Sequence, residues 1–155
     1  MRSSSRVANI IVSVLAVVIL IFLVMMFINQ NQAEYLPEDQ PNNIVNNYIL
    51  SLVKSDYKKA YAYLAEETEK PNFTVFQNGI SENKKEINNA NVTIGEIVQD
   101  GQSVTVQLNI RQNYEKSLLV DPDLYTEFAQ LILENGSWKI TSMPEPFWSE
   151  EWNSN

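Results

Sequence analysis

Neither cysteine nor histidine occurs among the 155 residues of this chain. Without cysteine there can be no disulfide, no thiol nucleophile, no thiolate metal site and no lipid-modified cysteine. Without histidine the chain has neither the usual general base near neutral pH nor the commonest metal ligand. The sequence therefore predicts no catalytic residue, no metal site and no cofactor, and we expect the protein not to be an enzyme.

Positive charge is also scarce. The chain has 11 Lys and Arg residues against 19 Asp and Glu residues, which gives a formal net charge of −8. Because Arg2 and Arg6 lie at the N-terminus and every acid follows residue 28, the rest of the chain carries a formal charge of about −10. Nucleic-acid binding is not expected, since phosphate recognition needs a clustered positive surface.

One long apolar stretch is present. Residues 7–28 carry no charge, and Asn9 and Ser13 are the only polar side chains among them. At about 1.5 Å per residue, a helix of this length extends roughly 33 Å and can cross a hydrocarbon core of about 30 Å. The sequence predicts a transmembrane helix over 7–28, preceded by a short cytoplasmic leader at 1–6.

The residues that flank this stretch favour a permanent anchor, with a cleaved signal peptide as the alternative. A signal peptide has about 7 to 15 apolar residues followed by a small-x-small cleavage site. This stretch is longer, and Asn31 stands where cleavage before Glu34 would need a small residue. Because Arg2 and Arg6 precede the span and acids follow it, we expect a single-pass protein of the cell membrane with an extracytoplasmic C-terminal domain.

Beyond a tether at 29–40, apolar residues at three- and four-residue spacing predict two amphipathic helices. The first begins near Pro41. The second begins at Ser55 or Asp56, whose side chain can cap it, and ends near Ala65. Residues 71–89 fit a short third helix or a loop.

After residue 91 the apolar period changes to two, which is typical of half-buried strands. Strands are predicted over 92–98, 104–111, 125–133 and 138–141. Asp100-Gly101 and Asn135-Gly136 are expected to form tight hairpin turns, since both pairs tolerate positive φ angles. The connection at 117–123 is expected to be irregular. Helices followed by an antiparallel sheet indicate an α+β fold, with two or three helices on one face of a curved sheet of about four strands.

Two motifs resemble the nuclear transport factor two-like superfamily, also called ketosteroid isomerase-like, whose domain is a cone of helices in the mouth of a bent sheet. The motifs are Lys54-Ser55-Asp56-Tyr57-Lys58-Lys59-Ala60-Tyr61 and Asn135-Gly136-Ser137-Trp138-Lys139-Ile140. The resemblance covers 41–143 and leaves an aromatic, acidic tail at 144–155. The resemblance implies a membrane-anchored, non-enzymatic module of the bacterial envelope. It also implies that two copies can pair through their sheets.

The candidate binding residues are aromatic: Tyr61, Tyr125, Trp138, Phe147, Trp148 and Trp152. The first three are candidates for lining a pocket inside the cone, although the helical spacing of the tyrosines also suits core packing. The last three follow the final predicted strand. They either fold back over the sheet or anchor a partner protein.

Three functions are compatible with these features. The leading hypothesis is a membrane-anchored scaffold or accessory module that binds another envelope protein without catalysis. The first alternative is a cone that binds a small apolar molecule. The second is an isomerase or dehydratase that uses a carboxylate and a tyrosine, for which Glu96 and Glu127 are the strand candidates.

The anchor can be tested in membranes. The full-length protein should stay in the membrane fraction after a high-salt wash, because a spanning apolar helix holds a chain more firmly than surface charges do. Immunoblotting of washed membranes measures this. A mature N-terminus at Glu34 would contradict the prediction.

Overall fold

The computed structural model describes residues 12, 14–22, 33–66, 70–112, 124–149 and 152. The chain divides into two compact units, Met1–Glu34 and Tyr35–Asn155. In the first unit, residues 12 and 14–22 are helical, and the leader and the other positions of the predicted span lie outside the described residues. Among the described residues, no helix has both the length and the apolar character needed to cross a membrane. The predicted irregular connection at 117–123 lies outside the described residues.

The described part of the second unit contains four helices: α1 Pro41–Val53, α2 Tyr57–Ala62, α3 Phe73–Glu82 and α4 Lys84–Asn89. The predicted cap of the second helix is confirmed, because Asp56 Oδ1 accepts a hydrogen bond from the backbone N–H of Lys59 at 3.3 Å. Asn72 caps α3 in the same way through Val75 N–H at 3.1 Å. The segment expected to be a short helix or a loop therefore forms two helices, which meet at Asn83.

Four strands form one antiparallel sheet in the described part of the chain, in the order β1-β2-β3-β4: β1 Ala90–Asp100, β2 Ser103–Gln112, β3 Leu124–Glu134 and β4 Ser137–Ser142. Both predicted hairpins are present. Gly101 has a φ of 60°, and Asn135 and Gly136 have φ of 50° and 78°, as two-residue hairpin turns require. The first turn consists of the two residues after Asp100, because Asp100 itself pairs with Ser103 at the strand ends.

Helix α2 ends at Ala62, earlier than the predicted end near Ala65. The backbone after α2 pairs with β4: Ile140 N–H donates to Tyr63 O at 2.8 Å, and Ala65 N–H donates to Ile140 O at 2.9 Å. These bonds form a parallel bridge between Leu64 and Ile140. Bridge pairing needs extended backbone, so this contact stops the helix although the apolar period continues.

Strand β2 supplies the centre of the core, as its alternation predicts. One face of the strand is buried throughout, at Val104, Val106, Leu108 and Ile110. The buried side chains of α1 belong to the same cluster, and they include Ile44, Val45, Tyr48 and Leu52. The helices therefore lie on the face of the sheet that carries these β2 residues. The opposite face, which carries the alternate residues of β2, is the outer face.

The compact unit begins at Tyr35, so the last residues of the expected tether at 29–40 belong to the folded domain. The backbone of Leu36 forms two hydrogen bonds with the side chain of Asn47 in α1. Its N–H donates to Asn47 Oδ1 and its C=O accepts from Asn47 Nδ2, each at 2.8 Å. Asn47 is fully buried, which shields this pairing from water.

The described part of the expected tail at 144–155 folds back into the domain. Phe147 is fully buried and Trp152 is 4% exposed. The Tyr48 hydroxyl donates to Phe147 O at 2.7 Å. The Trp152 indole nitrogen lies against Gly79 of α3, where an added Cβ would come within 2.8 Å of it. Phe147 and Trp152 therefore fold back and are buried, as one of the two alternatives predicted, but these contacts are with the helices α1 and α3 and not with the sheet.

Two phenylalanines allow a matched test of this packing. We expect Phe147→Ala to lower the free energy of unfolding of the full-length protein by about 3–5 kcal/mol, because it removes a fully buried ring. Phe128→Ala should cost less than about 1 kcal/mol, because that ring is 52% exposed. Denaturant titration followed by circular dichroism measures both. Equal losses would show that the tail is not part of the cooperative core.

Candidate functional site

A pocket of about 310 Å³ lies beside the edge strand β4. Its lining comes from the segment before α1, from both helices of the first pair and from the start of β4: Glu38, Ile44, Lys59, Ala62, Tyr63, Ser137, Trp138 and Lys139. The bridge between Leu64 and Ile140 brings these segments together, because it holds the end of α2 against β4. The pocket therefore combines residues far apart in sequence.

One wall of this pocket is an ionic cluster built on Glu38. The Tyr63 hydroxyl donates to Glu38 Oε1 at 2.7 Å, and Lys59 Nζ lies 3.7 Å from the same oxygen. Lys59 Nζ also lies 3.9 Å from the centre of the Tyr35 ring, a cation-π contact. Burial, and then the hydrogen bond and negative charge of Glu38, raise the pKa of Tyr63 well above its ordinary value. Tyr63 is thus a neutral donor at physiological pH.

The opposite wall of the pocket is rich in hydrogen-bond donors. Lys139 Nζ donates to Ala62 O at 2.6 Å, at the C-terminal end of α2 where a cation is favourable. Among the described residues, the Ser137 hydroxyl and the Trp138 indole N–H have no hydrogen-bond partner. Two further acids lie nearby: Glu134 pairs with Ser137 across the β3–β4 hairpin, and Glu66 is paired with Lys70 at 2.6 Å. The pairing with Lys70, together with the charge of Lys139, lowers the pKa of Glu66.

A second candidate surface is the outer face of the sheet. On β2 it carries an uncharged row that ends in a single cation: Ser103, Thr105, Gln107, Asn109 and Arg111. The register places Val98 beside Thr105, Phe128 beside Gln107 and Leu124 beside Arg111. These three apolar side chains are 55%, 52% and 64% exposed, respectively. The outer face therefore carries a polar, largely uncharged row on β2, with exposed apolar side chains on the strands at either side of it.

Polar side chains between the apolar ones order this face. Gln107 Nε2 donates to Asn109 Oδ1 at 3.2 Å, and the Thr126 hydroxyl donates to the same oxygen at 3.1 Å. Gly95 of β1 lies against Gln107, and an added Cβ would come within 3.0 Å of that side chain. The side chains of Gln107 and Asn109 are thus held in place by contacts from both neighbouring strands, β1 and β3.

The sequence-predicted binding residues do not converge on one site. Trp138 lines the pocket. Tyr61 is half-buried, packs edge-on against Phe73 and Phe76, and donates its hydroxyl to Pro71 O at 2.8 Å. Tyr125 is half-buried on β3.

Two of the three candidate rings of the tail are in contact with each other. Trp148 is half-buried, and its ring centre lies 4.7 Å from that of Trp152. Phe147 and Trp152 are core residues by burial. A binding role for Tyr61, Tyr125 and these tail rings stays a prediction.

The carboxylates considered for catalysis are on the surface. Glu96 and Glu127 are both exposed, although Glu127 pairs with Leu108 and so lies on the helix side of the sheet by register. No group of three or more potential metal ligands occurs within the described residues. The carboxylate that does line a pocket, Glu38, was not predicted, because its segment has the polar composition of a tether.

Solved structures establish the fold. A candidate ketosteroid isomerase from Shewanella frigidimarina is 16% identical with a TM-score of 0.51, over 70% of this chain and 96% of that chain. A SEC-C motif containing protein from Rhodopseudomonas palustris is 12% identical with a TM-score of 0.51, over 74% and 84% of the two chains. An NTF2-like protein of unknown function from Cytophaga hutchinsonii is 16% identical with a TM-score of 0.43, over 68% and 88%.

No protein-family profile matches the chain, and no curated protein sequence matches it. At these identities the structural likeness concerns the fold alone. The domain shares the fold of the candidate ketosteroid isomerase from Shewanella frigidimarina, which agrees with the predicted α+β fold.

The pKa of Tyr63 leads to a pH prediction. Because folding raises this pKa above the ordinary tyrosine value of 10.0, the unfolded chain releases the proton first as the pH rises. The contribution of Tyr63 to the free energy of unfolding is therefore fully present below pH 10 and is lost as the pH rises above it. Tyr63→Phe should therefore reduce the alkaline loss of stability, as measured by thermal unfolding between pH 8 and about 11. An unchanged alkaline slope would contradict the assignment.

Proposed function

We propose that this chain is a membrane-anchored extracytoplasmic interaction module, a scaffold or accessory subunit that binds another envelope protein through the outer face of its sheet and catalyses no reaction. The observation that carries the proposal is that Val98, Phe128 and Leu124 are all more than half exposed on that one face. Several large apolar side chains exposed on one polar surface commonly mark protein contacts.

The charge pattern of the outer face supports a protein partner. Charged residues are depleted at the centre of protein interfaces and tolerated at the rim. Here the β2 row is uncharged up to Arg111, although the chain as a whole has a formal net charge of −8. Glu96, Asp100 and Glu134 lie along the edge and at the ends of the strands. The partner that fits has an apolar centre and a basic rim.

A different protein fits this face better than a second copy does. Two copies would bring together two domains that each carry about −10, and like charges that approach one another oppose association. Pairing of two copies through the sheet, which the family resemblance implies, is the competing arrangement. The experiment below distinguishes the two.

Anchoring rests on the sequence of residues 7–28. Their length and lack of charge suit a membrane span, and the flanking charges orient the folded domain outward. A partner in the same envelope would then meet the domain at high effective concentration, because both are confined to one surface. Under those conditions an exposed face of moderate size is sufficient to bind the partner, because a high effective concentration lowers the affinity that is needed.

The two alternatives have less support. Acid-base catalysis inside a cone needs a sheltered carboxyl group, whereas Glu96 and Glu127 are exposed. A small apolar ligand needs an apolar cavity, whereas the pocket beside β4 is lined by two lysines and a glutamate. The chemistry of that pocket points to another kind of ligand.

Photo-crosslinking in intact cells tests the interaction. A photoreactive phenylalanine analogue at position 128 should yield an adduct with another envelope protein, and Val98→Asp should abolish it, because a charge at the centre of an apolar contact is costly. The adduct is identified by mass spectrometry. The same analogue in place of Leu36, which is 43% exposed on another part of the domain, is the matched control.

The outcomes separate the possibilities. A heterologous adduct whose crosslinked segment is bordered by lysines or arginines supports the proposal. An adduct with the mass of two chains replaces it with pairing of two copies. No adduct at position 128, or the same adduct at position 36, refutes it. Thermal unfolding of the Val98→Asp variant confirms that the domain is still folded.

A further inference from the structure

We propose that the pocket beside β4 binds a small organic monoanion, a carboxylate attached to a planar apolar body. This inference is independent of the interaction role, since the pocket lining does not include Val98, Phe128 or Leu124. Three observations carry it: the excess of hydrogen-bond donors, the balance of charges in the lining, and the size and aromatic wall of the cavity.

Donors outnumber acceptors at the start of β4. Ser137, Trp138 and Lys139 follow one another and all line the pocket. Lys139 Nζ uses one of its protons on Ala62 O, and an ammonium group has three protons to donate. The hydroxyl of Ser137 and the indole N–H of Trp138 have no partner among the described residues. A carboxylate, which only accepts hydrogen bonds, is complementary to these groups.

The charges of the lining leave a single positive charge for the ligand. Glu38 is already balanced by Lys59 at 3.7 Å and accepts the Tyr63 hydroxyl. Glu66, outside the pocket, is balanced by Lys70. Within the lining, Lys139 is therefore the cation that no lining acid pairs with, while Glu66 outside the pocket interacts with it electrostatically. One cation in excess over the acids of the lining matches a ligand of charge −1, and the nearby Glu38 carboxylate disfavours a dianion such as a phosphate monoester.

The rest of the lining suits an apolar ring. Ile44 and Ala62 contribute apolar surface, and Trp138 offers an indole ring that is half-buried and can stack on a planar group. A volume of about 310 Å³ lies at the small end of ligand pockets. The ligand class is thus a small aromatic or other planar monocarboxylate, with its charged group at Lys139 and its ring against Trp138.

Calorimetric titration of the full-length protein in detergent micelles tests this site. The probes are benzoate, phenylacetate and indole-3-acetate, with benzamide as the neutral analogue of benzoate and phenyl phosphate as the dianion. We expect at least one monocarboxylate to bind, and benzamide and phenyl phosphate to bind about tenfold more weakly than benzoate or not at all, because a charge-assisted hydrogen bond is worth about a factor of ten.

Variants locate the binding. Lys139→Gln should weaken binding of the preferred monocarboxylate about tenfold, and Lys139→Arg should retain most of it, because arginine keeps the charge. Lys85→Gln, at an exposed lysine of α4, should leave binding unchanged. Thermal unfolding shows whether each variant is folded, and Lys139→Gln retains a group able to donate to Ala62 O.

The proposal fails if no monocarboxylate binds, if benzamide binds as well as benzoate, or if Lys139→Gln and Lys85→Gln have the same effect. Binding that survives Lys139→Gln would assign the anion to another site. These results are separate from the crosslinking outcome, so the failure of one proposal leaves the other standing.

Discussion

The short parallel bridge between Leu64 and Ile140 is the contact on which the arrangement of the domain depends. Two backbone hydrogen bonds, of 2.8 and 2.9 Å, join the chain after α2 to the edge strand β4. They stop the second helix, satisfy part of a strand edge that would otherwise be open, and fix where the first helical pair meets the sheet. The pocket exists because this contact holds the end of α2 beside the β3–β4 hairpin.

A second long-range contact completes the core. The Tyr48 hydroxyl, fully buried in α1, donates to the carbonyl of Phe147 in the C-terminal segment. Burial raises the pKa of Tyr48 far above its ordinary value, so this donor stays protonated. Phe76 and Trp152 then pack with ring centres 5.2 Å apart. A helix near the start of the domain and the last described residue are thus tied into one core.

Local patterns predict the sheet well because its determinants are local. The alternation of β2 sets the buried face, and the Asn135-Gly136 pair sets a turn, without help from distant residues. The cap at Asp56 is local in the same sense. The fold class follows from the order of these elements, and the comparison with solved structures agrees with it.

The candidate site was much less predictable, since its determinants are contacts between distant segments. Glu38 belongs to a stretch with the composition of a linker, and the long-range pairing of Leu36 with Asn47 helps to hold that stretch beside Tyr63. The burial of Phe147 depends on a partner in α1. Trp138 was singled out for its aromatic ring, but Lys139 beside it was not, because a lysine in a strand is ordinarily a surface residue.

The pairing of Leu36 with Asn47 has a mechanical consequence. Tension arriving along the backbone from residue 34 reaches the folded domain at two hydrogen bonds that share the load, and these bonds are made to the middle of α1 and not to its frayed first turn. Asn47 is buried, so water cannot easily replace either bond during a pull. The chain is thus fastened at its entry point to the middle of α1, so that a pull is applied to the body of this helix and not to its first turn.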